Sequence, residues 1–367
     1  MPQSACFIDG RSVSRAEAVR AAAALIAASR LPVFLVGACD VAGARAAIRL
    51  AERTGGVIDH VESAIALREL DVMRSFGKFI VTPHEARQRA DTVLLVGYGL
   101  TQMWPEMAGV LGLAEVPRLG LPPAPRQIFW IGADAQEETL ARLASQTLQA
   151  SAEALPDLVA ALRAHVARRR MNLAASEKDA VDAIAEGLRR AQFGLVVYSP
   201  LSLDTLAIEM LAGLVADLNK ATRFSTLSVG GSGNAETLMQ TAGWMTGFPA
   251  RTGFGRGYPE HDPWRFAARR LVESGETDAL VWIASDAAEL PAWASKHNLI
   301  ALTAAESGLA IAKVYIAVGR HGHDHDAVAF ARETQSLAWL RGSAVSELAS
   351  TAAVLDEIAA SVSREAA

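Results

Sequence analysis

Residues 319–327 read GRHGHDHDA and bring His321, His323, Asp324, His325 and Asp326 into one short stretch. Imidazole and carboxylate groups are ligands for divalent ions. In an extended stretch alternate side chains share a face, so His321, His323 and His325 would line up as a weak metal site. A catalytic centre also needs an open coordination position and an orienting second layer of partners, and the spacing supplies neither. An exposed polar loop accounts for the same residues. A second candidate is VGGSGNAE, after the apolar run around Leu227. Successive amides of Gly230, Gly231, Gly233 and Asn234 could form an anion nest opening a helix. A plain strand-to-helix turn is the alternative. Residues 246–266, TGFPARTGFGRGYPEHDPWRF, form a long irregular loop dense in Gly, Pro, Arg and aromatics. Arg251, Arg256 and Arg265 suit a carboxylate or other anion. The Phe and Trp side chains suit a protein interface equally well. No G-x-S-x-G, H-E-x-x-H, C-x-x-C, Walker A or strand-linked G-x-G-x-x-G motif is present.

These residues must be held by an α/β scaffold. Ser14 and Glu17 form a capping box ahead of an apolar helix face of Val19, Ala22, Ala23 and Ile26. Buried strands are predicted at 32–37, 57–60, 92–97, 128–132, 195–198, 280–284, 299–303 and 314–319, with helical patterns between most of them. Runs apolar on both faces and separated by helices predict parallel sheets covered on both sides. The stretches beginning at Leu31 and Phe193 repeat one plan, strand then loop then small-residue helix, and are expected to be paired units of one sheet. Residues 118–125 read as a proline-rich loop, and 140–191 as successive helices.

The 367 residues are 51% apolar, enough for two domains with sizeable cores. A formal net charge of -5 and 6% aromatics, with no basic stripe, exclude a nucleic-acid binder. Two cysteines give no disulfide framework, so a reducing, cytoplasmic setting is expected. No apolar run is long enough for a membrane span, and the first ten residues lack a signal-peptide core.

Three stretches carry a resemblance: AERTGGVIDHVES (51–63), RADTVLLVGYGLTQMWPE (89–106) and GWMTGFPARTGFGRGYPEHDPWRF (243–266). They resemble the B subunit of formylmethanofuran dehydrogenase, within the molybdopterin oxidoreductase superfamily, in order and spacing along nearly the whole chain. The resemblance implies parallel sheets flanked by helices, like domains II and III of formate dehydrogenases, without the iron–sulfur domain. By analogy, 1–62 and 193–345 form one discontinuous α/β domain, 63–192 an inserted one, and 346–367 a helix and tail.

In that family a Cys or selenocysteine ligates the metal after Gly-Gly-x-x-Asp, and a His follows. Those positions hold Ile65 and Ala66 here. A hydrocarbon has no lone pair to donate, and two cysteines cannot build a four-cysteine cluster. Asp59, Ser63 and Arg256 stand as a vestigial site, and no catalytic residue or resident metal is expected. The B subunit of the bacterial formyltransferase/hydrolase complex shows this pattern. It implies a non-catalytic structural subunit in tetrahydromethanopterin-linked conversion of formaldehyde to formate, beside a metal-holding hydrolase A subunit, a C subunit and a formyltransferase D subunit. The complex would use a methanofuran-like carrier, with no cofactor in this chain, no nucleic acid and no membrane. The alternative is an active dehydrogenase-type subunit with an altered metal–pterin site.

Overall fold

The computed structural model describes residues 6–119, 124–133, 137–171, 175–230, 235–286, 288–296, 298–304 and 311–365. The chain opens with β1 (Cys6–Ile8), β2 (Arg11–Ser12) and α1 (Arg15–Ala27). Ser14 caps α1 through the expected box, with Glu17 returning a bond to the Ser14 amide. Next come β3 (Pro32–Ala38), α2 (Val41–Arg53) and β4 (Val57–His60), then α3 (Ser63–Phe76). Asp40 caps α2 by accepting from the Gly43 amide at 2.9 Å.

A nearly continuous stretch follows: α4 (Pro83–Arg89), β5 (Thr92–Val96), α5 (Leu100–Met103), α6 (Met107–Val110), β6 (Gln127–Ile131), α7 (Glu138–Leu143) and β7 (Gln146–Leu148). It continues with α8 (Leu155–Val166), α9 (Ala175–Arg190), β8 (Phe193–Tyr198), α10 (Thr205–Leu218) and β9 (Arg223–Ser228). The remainder holds α11 (Ala235–Thr246), β10 (Thr252–Gly253), β11 (Glu260–His261), α12 (Ala268–Glu273), β12 (Ala279–Ala284), β13 (Asn298–Thr303) and β14 (Val314–Ala317). It ends in the hairpin β15 (Ala327–Ala331) and β16 (Ser336–Leu340), then α13 (Thr351–Glu365).

Two compact units result. The first comprises Met1–Ala66, Gly233–Ala331 and Ser336–Ala367. Its sheet runs β11-β10-β4-β3-β12-β13-β14-β1-β2, parallel from β4 to β14, with antiparallel strands at both margins. Phe34, Val36, Ile283 and Ile300 pack on the face covered by α1, α2 and α13, and Leu35, Leu280 and Trp282 on the other. Burial on both faces explains why these strands read as unbroken apolar runs.

The second unit comprises Leu67–Ser232 and Arg332–Gln335. Its sheet, β7-β6-β5-β8-β9, is parallel throughout. Here the structure departs from the expected division at residue 192. β8 pairs with β5, Thr92 opposite Gly194, so residues 193–232 belong with the second unit. The repeat seen at Leu31 and Phe193 is likewise divided: β3 and β8 lie in different sheets. The C-terminal segment, expected to stand apart as a helix and tail, forms α13 within the first unit, where Glu357 pairs with Arg15 of α1.

Candidate functional site

Asp59 sits near the end of β4, buried, and its carboxylate is shared among three donors. One oxygen accepts from the Ser63 hydroxyl and from the His60 amide at 2.8 Å. The other accepts from the Ala268 amide at 2.8 Å. Ala268 opens α12, whose own N-cap, Ala267, offers no side-chain acceptor. Asp59 therefore caps that helix from across the fold. The Arg251 Nε lies 3.7 Å from Asp59. Arg251 donates through Nη1 to the Pro263 carbonyl at 2.6 Å and adopts a left-handed φ of 61°. Burial pushes the Asp59 carboxyl above its ordinary range, against the lowering pull of the Ala268 amide, Arg251, Ser63 and the His60 amide.

Ile65 and Ala66 lie in the first turn of α3, half-buried, with both amides bonded to the Glu62 carbonyl. Arg256 is well exposed and pairs with Glu260 at 3.2 Å; the Tyr258 hydroxyl and then Glu260 hold its pKa up. The arginine at Asp59 is thus Arg251 rather than Arg256. Its positive φ, which steers it there, leaves no mark in the sequence. The long 246–266 segment also contains the short hairpin of β10 and β11, Thr252 opposite His261.

The histidines do not follow the extended geometry that alternation requires. A turn closes between Gly322 and His325, and His321 and His325 face each other across a bridge. His321 Nδ1 lies 2.8 Å from Ser285 Oγ, and His323 Nδ1 lies 2.8 Å from Asp324 Oδ1. Both ring nitrogens of His325 are buried without a hydrogen-bond partner. Burial lowers the His321 pKa, opposed by Asp40 and Asp286. Among the described residues no group of three or more His, Cys, Asp or Glu side chains is placed to hold a metal ion. Gly230 follows β9, with open space where a Cβ would stand; Gly231, Gly233 and Asn234 lie outside the described residues. Cys6 and Cys39 are both buried, free thiols.

The second unit holds a cluster that sequence reasoning missed. The Lys78 ammonium pairs with the Glu69 carboxylate and donates to the Tyr198 hydroxyl at 2.7 Å. Tyr198 in turn donates to Glu69 at 2.9 Å. Burial, followed by the neighbouring Glu69 charge, pushes the Tyr198 phenol well above its ordinary range. Glu137 fills another polar seat, accepting from the Gly99 amide at 3.0 Å and the Thr101 amide at 2.6 Å. Spacing gives no signal for either set, because Tyr198 and Glu137 lie far along the chain from the residues they meet.

No family model matches the chain. It is 34% identical over 322 residues, 87% of its length and 86% of the relative's, to the B subunit of the formyltransferase/hydrolase complex of Methylorubrum extorquens. The chain belongs to the family of formyltransferase/hydrolase B subunits. A crystal structure of that complex from Methylorubrum extorquens, with methylofuran bound, contains a chain that superposes with a TM-score of 0.88 at 32% identity, covering 99% of both chains. The family's wider kinship shows in the B subunit of a tungsten-containing formylmethanofuran dehydrogenase of Methanocaldococcus jannaschii, 28% identical over 79% of this chain and 68% of that one. The α/β fold of these B subunits, with parallel sheets between helices, is the one the resemblance implied. Among the described residues no helix is long and apolar enough to cross a membrane.

Proposed function

We propose that this chain is a non-catalytic structural subunit of a cytoplasmic formyltransferase/hydrolase complex that carries formaldehyde-derived carbon to formate on a methylofuran-type carrier. Its partners are the hydrolase, formyltransferase and C subunits, and the metal chemistry belongs to the hydrolase. The observation that carries this reading is the likeness over 99% of the chain to a subunit of such a complex. The donor set supports the missing chemistry. Ile65 and Ala66 present only hydrocarbon where the dehydrogenases that the chain resembles place a soft ligand and a His. Asp59 and Ser63 are engaged in capping and in holding α12. These residues do not fit a metal–pterin centre.

The test is elemental analysis and formate release on the purified assembly. Co-production with the three partner subunits yields a stable complex free of tungsten and molybdenum, and Arg256→Ala leaves its formate release unchanged. Either element at near one equivalent on this chain overturns the reading. It would favour the second one, a dehydrogenase-type subunit with an altered site, for which the similarity to tungsten-containing relatives speaks.

A further inference from the structure

The second unit exposes an apolar surface that no chemistry of the chain uses. Met73 and Phe76 stand 46% and 59% exposed three positions apart in one row of α3, which Leu70 begins. Phe79 and Ile80 extend it at 51% and 73% exposure. Large apolar side chains crowd here within eleven positions, whereas singly scattered ones would need no explanation. The charges nearby cancel. Lys78 is spent on Glu69, and Arg74 pairs with Asp71 at 3.3 Å. Aromatic and Met enrichment with depleted charge is the composition of an interface core.

The backbone beneath this patch is what specifies an occupant. β9 is the margin of its sheet, and two devices close its outer side. The Asn219 side chain takes both backbone groups of Phe224, at 2.9 and 3.1 Å. The segment 79–81 takes those of Thr226, whose amide donates to the Phe79 carbonyl and whose carbonyl accepts from the Val81 amide. Ile80 bridges Thr226 in parallel register. In that register the neighbours of Ile80 bond the sheet, while its own N–H and C=O point outward. Among the described residues nothing takes them. An edge that is blunted at Phe224 and Thr226 and open at the apolar Ile80 is a template for another strand.

We infer that residues 70–80 dock an extended, uncharged segment of another subunit of the complex, which pairs with the Ile80 backbone and lays alternate apolar side chains on Phe76 and Phe79. This rests on the reading of the chain as a subunit of that complex. The experiment uses the full chain, alone and co-assembled with its three partners. Hydrogen exchange at the Ile80 amide slows at least about tenfold on assembly. The double variant Phe76→Asp, Ile80→Asp keeps the thermal midpoint of the free chain but loses one partner from the co-purified complex. An Ile80 amide that exchanges equally fast free and assembled overturns the inference while leaving the complex intact, even should the variant misfold. A folded variant that assembles normally overturns it as well. Protection of Ile80 in the free chain through self-association assigns the surface to a second copy and overturns the stated occupant. Failure of the wild-type chain to bind any partner sinks the complex reading and this inference together.

Discussion

Asp59 illustrates how a residue that looks like catalytic debris can be held by folding alone. Its carboxylate serves α12, the start of α3 and its own strand end at once. Asp59→Ala leaves the Ala268 and His60 amides without their acceptor, and we expect a loss of about 1–3 kcal/mol in urea unfolding. A vestige with no structural duty would give no change. Asp278 provides the pH dependence. Burial alone would raise its pKa, but the Ser29 hydroxyl and the amides of Arg30 and Leu31 outweigh it and hold the carboxyl at about 2. The folded value lies below the unfolded one, so the contribution is present above about pH 4 and is lost as pH falls toward 2. Thermal midpoints of Asp278→Asn therefore converge on those of the unaltered chain as pH falls through that window. At this scale the sequence marks Asp59 and Ser63 but not their duty, since Ala268 lies far along the chain. Arg251 was legible as a cation, and only its backbone angle places it at Asp59.

Elements were easier to read where burial is two-sided. The runs at 57–60, 280–284 and 299–303 coincide with β4, β12 and β13 to within a residue, because a strand covered on both faces leaves an unbroken apolar word. Short or half-exposed strands, such as β2, β7, β10 and β16, leave no such word and were not anticipated. The pairing of β8 was also hidden, since an apolar run fits either sheet. Close contacts now locate it: a Cβ on Gly194 would meet the Phe224 ring at 2.0 Å, directly across β8 and β9. Gly194→Ala is expected to destabilise by about 1–3 kcal/mol through overpacking, read in the same urea titration. The Ser14 box predicts a smaller effect, about 1 kcal/mol for Ser14→Ala, with fraying confined to the first turn of α1 by hydrogen exchange.

Across the whole molecule, the second unit occupies an almost unbroken stretch, whereas the first is completed by distant segments. β3 must wait for β12, which pairs with it in parallel, and β1 for β14. The chain leaves the ribosome from its N-terminus, so the order of emergence becomes an order of maturation. By the time Ser228 is made, β5 to β9 can all pair, while β3 and β4 still lack their later neighbours. A chain stopped after Ser228 should therefore protect the amides of β5 and β8 from exchange and leave those of β3 open. The segment encoded first would be the last to find its place, held unfinished until residues some 250 positions downstream arrive to close over it.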